Sequence, residues 1–269
     1  MKTLVVVQAR VGSSRLPGKV LLPVAGAPLL ERLIERLRAA ESSFSLVVAT
    51  TTAVEDEPIR ALCRKIDVDC MSGHPKDLLD RHYEAARLYH ADAVCKVPSD
   101  CPLIDPGVLD RVLLSFESAG GQCDFASNLH PATYPDGNDV EVMTMEALSA
   151  AWREAWRPFE REHTTPFLWE RPERFRLLNV AYETGQNLSM SYRFTIDYPE
   201  DYAFVARVYD SLWREGRPVF RLGEILHLLR EQPEIAAINA HLAGVNWYRN
   251  HLGELKTVSK DETRFEGVA

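Results

Sequence analysis

Four short apolar runs in the first hundred residues, each followed by a polar turn and then a helical pattern, leave this chain few folds. The runs are Leu4 to Val7, Phe44 to Thr50, Val68 to Met71 and Ala93 to Val97. Strands that are apolar almost throughout are covered on both faces, which marks a parallel sheet. Between the runs the apolar period changes to that of a helix. Leu29, Leu30, Leu33, Ile34 and Leu37 share one face of a helix over Leu29–Arg38. Glu57–Lys65 and Asp77–Tyr89 read as two further helices, with Asp77 suited to the first turn. Pro106 opens a fourth, to Phe116. Strands alternating with helices predict an α/β fold: a single domain, Rossmann-like, with a mostly parallel central sheet and helices on both faces.

After Gly120–Gly121 the pattern changes. Asp124–Ser127 and Asp139–Met143 read as strands around a polar loop, and Met145–Trp156 as a helix. Thr164–Glu170 begins another helix, and Phe175–Val180 is a strand. Ser191–Ile196 alternates like a strand, Pro199 starts a helix to Trp213, and a short segment follows at Leu222–Leu229. Residues 246–269 are polar and mixed, which predicts fraying or an interface arm after a domain of residues 1–245.

A chain of 269 residues can bury a substantial core. The net charge of −8 argues against a protein built to coat nucleic acid, so its basic residues must act locally. No apolar run approaches the length of a membrane span. The stretch at residues 1–10 ends in Gln and Arg, and reads as a strand rather than a signal peptide. Five cysteines with no Cys-x-x-Cys pair suit a reduced, cytoplasmic protein. Cys101 has no base placed near it in sequence, so packing is its expected role.

The loop from Gln8 to Lys19 follows the first strand and holds Arg10, Gly12, Ser13, Ser14, Arg15, Gly18 and Lys19. A small, flexible, basic loop at the carboxyl end of a first strand is where an open α/β sheet binds its ligand. Glycines bring backbone N–H groups close to phosphate oxygens, and Arg and Lys neutralise them. The Walker A spacing is absent, since five residues separate Gly12 from Gly18 and Val20 follows Lys19. On composition alone, a triphosphate grip and an exposed Pro-Gly turn are equal readings.

Asp100 follows the fourth strand, at the ligand edge of such a sheet. A carboxylate there suits Mg²⁺, which takes few protein oxygens and fills its shell with phosphate and water. The alternative is a helix cap, but Asp105 directly precedes Pro106 and suits that role better. Asp197, before Pro199-Glu200-Asp201, reads first as a cap on residues alone. Thr50 to Thr52 end the second strand and could line a base pocket or be plain loop. Pro135-Asp136-Gly137 is a turn signal; beyond it Asp139 and Glu141 point to the face opposite Val140. His163 is either a ligand contact or a helix-start residue, and Arg193 either a contact for a carboxylate or phosphate or a partner for Asp197. Trp152 and Trp156, a helical turn apart, suggest packing.

The string Gln-Ala-Arg-Val-Gly-Ser-Ser-Arg-Leu-Pro-Gly-Lys resembles the opening motif of the spore coat polysaccharide biosynthesis protein F family. That family is a cytidylyltransferase-like branch related to acylneuraminate and 3-deoxy-manno-octulosonate cytidylyltransferases. Asp77 to Arg81, Asp100 to Asp105, Tyr134 to Glu141, Arg161 to Pro166 and Thr195 to Tyr202 also match, in order, over roughly the first 205 residues. The resemblance implies a fold like that of nucleotide-diphospho-sugar transferases. It implies transfer of CMP from CTP to an acidic sugar, a nonulosonic or other 2-keto sugar acid, for a surface polysaccharide, with pyrophosphate released. Arg15, Lys19 and Asp100 would be catalytic, with Mg²⁺ on Asp100 and Asp197. The nucleotide would meet Ala9, Arg10, Gly12, Ser13, Ser14, Arg15, Lys19, Thr50, Asp80, Arg81 and Ser99; for Asp80-Arg81 the plain alternative is a surface ion pair. The acceptor would meet Asp139, Glu141, His163 and Arg193. Ser99 stands where many relatives have Gly, and Asn138 where they are apolar. A cytoplasmic homodimer is implied, without nucleic acid or membrane. Two alternatives are a nucleotide-sugar-dependent glycosyltransferase of the same class and a catalytically silent nucleotide-binding partner.

Overall fold

A computed structural model describes residues 1–265. Its strands are β1 (Thr3–Gln8), β2 (Pro23–Val24), β3 (Ala27–Pro28), β4 (Ser45–Thr51), β5 (Asp69–Gly73), β6 (Ala93–Pro98), β7 (Phe125–Ser127), β8 (Glu141–Thr144) and β9 (Leu177–Asn179). The helices are α1 (Leu29–Arg38), α2 (Glu57–Lys65), α3 (Leu78–Tyr89), α4 (Pro106–Ser118), α5 (Met145–Glu154), α6 (Pro158–His163), α7 (Pro166–Trp169), α8 (Pro199–Leu212), α9 (Leu222–Glu231) and α10 (Pro233–Ala237). Seven strands form one sheet in the order β5–β4–β1–β6–β8–β7–β9. It is parallel except at β8, which runs antiparallel to both β6 and β7.

The apolar runs form this sheet because both its faces are covered. Val5 and Val7 point into a core shared with α1, α2, α4 and α8. Leu4 and Val6 point to the other side, against α3, α5 and α7. Alternate side chains of one strand thus serve two cores. Asp77 caps α3 by accepting from Asp80 N (2.9 Å), and Asp105 caps α4 by accepting from Gly107 N (2.7 Å). Cys101 is 1 % exposed, and burial pushes its thiol well up, in keeping with packing. Trp152 stacks on Tyr83 at 4.1 Å, but Trp156 is 80 % exposed and outside the core.

The chain leaves β1 towards β4 and later returns on its other side as β6. The crevice at the carboxyl ends of β1 and β6 is therefore the switch point of the sheet. Gln8 lies opposite Pro98 in the register, so the basic loop and Ser99–Asp100 emerge side by side.

Two parts of the second half differ from expectation. Ser191–Ile196 is extended but joins no strand; a single bridge pairs Arg193 with Asp136. Its backbone bonds go to loops instead. Phe194 N donates to Asp136 O (2.7 Å) and Ile196 N to Asp100 O (2.8 Å). Residues 246–265, read as frayed or as an arm, lie on the body of the molecule, with Leu255 buried and Trp247 and Tyr248 packed against the second core. Residues 266–269 of that segment lie outside the described residues.

The docking of 191–197 depends on Gly137. Its φ is +101°, and a Cβ there would lie 2.7 Å from the backbone of Phe194 and Thr195. Gly121 also has a positive φ, +82°, but open space around it. Gly137→Ala is expected to lose about 3 kcal/mol or more from clash and strain combined, and Gly121→Ala only about 1 kcal/mol. Denaturant unfolding of both variants measures the difference.

Candidate active site

A cleft of about 420 Å³ opens over the switch point. The sharp turn of the basic loop is made by Gly18, at φ +70°, whose N–H donates to Val11 O (2.9 Å). Asp56 holds the loop from the other side, accepting from Val11 N at 2.7 Å and from the Thr51 hydroxyl. Val20 is buried, so Lys19 starts its short turn from a fixed base.

Lys19 Nζ meets three acceptors: Asp100 Oδ2 at 2.8 Å, Asp197 Oδ1 at 2.9 Å and Ile196 O at 2.6 Å. Burial works against its charge, but Asp100 and Asp197 outweigh it and the pKa is raised. Arg15 donates to Asp197 Oδ1 at 2.7 Å. Burial works to raise the Asp197 carboxyl, yet Lys19 and Arg15 hold it well below the usual carboxylate range. The late segment therefore does bring Asp197 to Asp100, as two ligands of one ion would require.

Arg193 serves this pair from behind. Its guanidinium donates to Asp201 (3.0 Å), Asp197 Oδ2 (3.0 Å), Asp136 Oδ2 (3.3 Å) and Val245 O (2.5 Å). Its side chain is 1 % exposed. Of its two sequence readings, the structure places it as the partner of Asp197, with its donors already committed. Asn138, the departure from the family pattern, is buried and accepts from Asp105 N (3.0 Å), bracing the loop against α4.

Ala9, Arg10, Ser13, Ser14, Arg15, Lys19, Arg81, Ser99 and Asp100 line the cleft at one end. Asp139, Glu141 and His163 line it towards the other. Three predicted contacts do not line it. Thr50 is fully buried in β4. Gly12 stands outside the lining, and Asp80 turns away on α3 to accept from Trp152 Nε1 (2.9 Å). Arg81, one residue on, faces the sheet: it packs over Gly73 and donates to Gln8 Oε1 (3.1 Å). Its Nε and Nη1 are buried with no hydrogen-bond partner among the described residues. Burial, then Arg10, lower its pKa to about 10.

Sequence reading missed Lys96, His130, Trp169 and Trp247 to Arg249, all of which line the cleft. Lys96 pairs with Glu141, whose other oxygen accepts from Thr165 Oγ1 at 2.6 Å. His163 lies flat on Trp247 (3.8 Å, 12°) and His130 on Trp169 (4.2 Å).

A family model described as cytidylyltransferase matches residues 4–235. The chain belongs to the cytidylyltransferase family. It is a CTP-dependent nucleotidyltransferase. A solved cytidylyltransferase from Leptospira borgpetersenii superposes with a TM-score of 0.82 at 31% identity, over 88% of this chain and 97% of that one. The spore coat polysaccharide biosynthesis protein SpsF of Bacillus subtilis is 28% identical over 87% of this chain and 96% of its own length. A CMP:2-keto-3-deoxy-manno-octonic acid synthetase solved with CTP shares the fold at a TM-score of 0.58 and 18% identity, over 78% of this chain and 99% of that one. No helix among the described residues is long and apolar enough to cross a membrane.

The cytidylyltransferase keeps three histidines neutral, His82 buried and His130 and His163 half-buried in the cleft wall. Burial lowers His82 and His163 to about 3 and His130 to about 4. The unfolded chain protonates them near pH 6.5, so folding stability is full above that pH and falls as pH drops towards 4. Each contributes a slope of about 1 kcal/mol per pH unit over that window. Denaturant unfolding at pH 7.5 and 5.5 should show the fall, and His163→Gln should reduce it.

Proposed function

We propose that the enzyme transfers CMP from CTP to an acidic sugar, a nonulosonic or other 2-keto sugar acid, and releases pyrophosphate. The observation that carries this is the meeting of Arg15 and Lys19, from the basic loop, with Asp100 and Asp197 in one cleft. A 3-deoxy-manno-octulosonate cytidylyltransferase of Zea mays, 36% identical over 42% of this chain and 38% of its own length, supports the acceptor class, and the SpsF likeness supports a polysaccharide destination. A surface polysaccharide as destination, a cytoplasmic setting and a homodimer belong to the same proposal.

Little covalent work falls to the protein in such a reaction, so its residues position and neutralise. An acceptor oxygen attacks the α-phosphorus, and pyrophosphate leaves with the electrons of the broken bond. Arg10, Arg15 and Lys19 face the triphosphate, and Arg81 offers buried donors to the nucleotide. Asp139 accepts from Gly137 N (3.1 Å) and is the cleft carboxylate set to take the acceptor's proton. Burial, with Asp100 and Glu141, pushes it up to about 6, close to a working pH.

The donors at the carboxylate pair fit Mg²⁺. Both are hard oxygens, and Asp100 Oδ1 has only the weak Cys101 thiol against it among the described residues, at 3.7 Å. Asp100 and Asp197 would hold the ion, which supplies charge neutralisation at the phosphates.

Pyrophosphate release with CTP and a panel of sugar acids tests the proposal; release only when both are present is the expected result. Asp100→Asn should lower turnover about 100-fold and unfolding stability by only about 1 kcal/mol, since the amide oxygen still accepts from Lys19. Lys19→Ala should weaken CTP about tenfold more than CMP, the scale of one lost positive charge beside the outer phosphates. Titration calorimetry with the two nucleotides reads that difference.

A further inference from the structure

The cleft has a wall that lies beyond the region matched to the family, residues 4–235. After α10 the chain returns to the cleft mouth, where Val245 to Arg249 line it. This strap is fastened at several points. Arg193 Nη1 donates to Val245 O at 2.5 Å, and Arg264 N to Gly244 O at 2.7 Å. Asn246 Nδ2 donates to Glu262 O at 2.8 Å. Glu170, itself buried, accepts from Lys256 N (2.7 Å), Thr257 N (2.9 Å) and Thr257 Oγ1 (2.5 Å). A segment held by so many buried or half-buried bonds is a fixed surface, not a loose tail.

What the strap presents is aromatic. Trp247 lies flat on His163, and Tyr248 lies edge-on to Trp169 at 6.1 Å and near His130 at 6.4 Å. The imidazoles His163 and His130 are neutral at working pH, held so by burial. The nearest fixed charges, Lys96 and Glu141, are paired with each other. The wall thus offers ring faces beside His163 and His130, while the strap's cation, Arg249, lies towards Arg15 and Asp197, in the part of the cleft that Arg10 and Arg81 also line. Aromatic walls with few polar groups take apolar faces of ligands.

We infer that the strap is the acceptor-selecting wall of the cleft, and that Trp247 and Tyr248, with the His163 and His130 stacks, take the uncharged ring of the acceptor. The inference rests on the reading of the enzyme as a sugar-acid cytidylyltransferase and narrows it: the acceptor is ring-sized, and a short phosphorylated alcohol is excluded. Trp247 and Tyr248 are then specificity-determining residues supplied from outside the family core.

The test uses the full chain with CTP and three probes: N-acetylneuraminate, 3-deoxy-manno-octulosonate and glycerol 3-phosphate. Pyrophosphate release is followed, and CTP binding is measured separately by calorimetry. We expect turnover with at least one sugar acid and none with glycerol 3-phosphate. Trp247→Ala should raise KM for that sugar acid about tenfold, leave CTP affinity within about twofold, and be partly rescued by Trp247→Phe. If Trp247→Ala does not fold, Trp247→Leu keeps apolar bulk but loses the flat ring, and serves in its place. Sugar-acid turnover with an unchanged KM in the variant overturns the inference and leaves the enzyme reading standing. So does comparable turnover of glycerol 3-phosphate, for the ring-sized acceptor. Failure of the wild-type enzyme with every sugar acid overturns the reading and the inference together.

Discussion

One ammonium group holds the cleft together. Lys19 Nζ has three protons to give, and Asp100, Asp197 and the carbonyl of Ile196 take them. These acceptors come from the end of β6 and from a segment near residue 196, so the bond set fastens the late chain onto the early sheet. Without it two carboxylates would face each other in a poorly solvated place. The same contact orients the carboxylates towards the cleft. Structure and site are therefore one arrangement here, and the stability of the late segment is tied to the chemistry it serves.

Arg193 extends that arrangement inward. A guanidinium 1 % exposed is costly unless its donors are met, and here Asp136, Asp197, Asp201 and Val245 O meet them. Asn239 Nδ2 adds a bond to Asp201 at 2.9 Å. Because Arg193 touches both Asp197 and the strap, a shift at either end is felt at the other. Removing it would strand several buried carboxylates, a loss larger than that of any one contact.

The first half of the fold was legible because its rules are local. Apolar runs buried on both faces, helices with one apolar stripe, and caps at Asp77 and Asp105 all act within a few residues. The basic loop and Asp100 were also legible, through motif and through position after a strand, whereas Asp197 read first as a cap and became a metal candidate only through the family resemblance. What was not legible depends on contacts distant in sequence. Ser191–Ile196 alternates, but its partners are Asp100 and Asp136 in loops, so alternation gave extended chain and not a strand. Asp80 and Arg81 are neighbours on α3, yet one turns to Trp152 and the other to the sheet; the motif could not say which. The strap carries no apolar period at all. Its only hint was a Trp and a Tyr side by side in a polar stretch, and its anchor, Glu170, lies 86 residues from Lys256.

The division of charge within the cleft bears on how such an acidic protein draws in a polyphosphate. A chain of net charge −8 offers a nucleotide no long-range attraction. At physiological salt fields fade over about 8 Å, so only the loop itself matters to an arriving anion. Lys19 is already committed to two carboxylates, and Arg193 is spent and buried. Arg10, exposed, and Arg15, with its side chain 44 % exposed, are left to make first contact. Arg15, with its own side chain nearly half exposed, can exchange its bond to Asp197 for one to phosphate, one charge-assisted bond replacing another. Its departure would leave Asp197 Oδ1 with one donor instead of two, Lys19, which keeps the carboxylate in place.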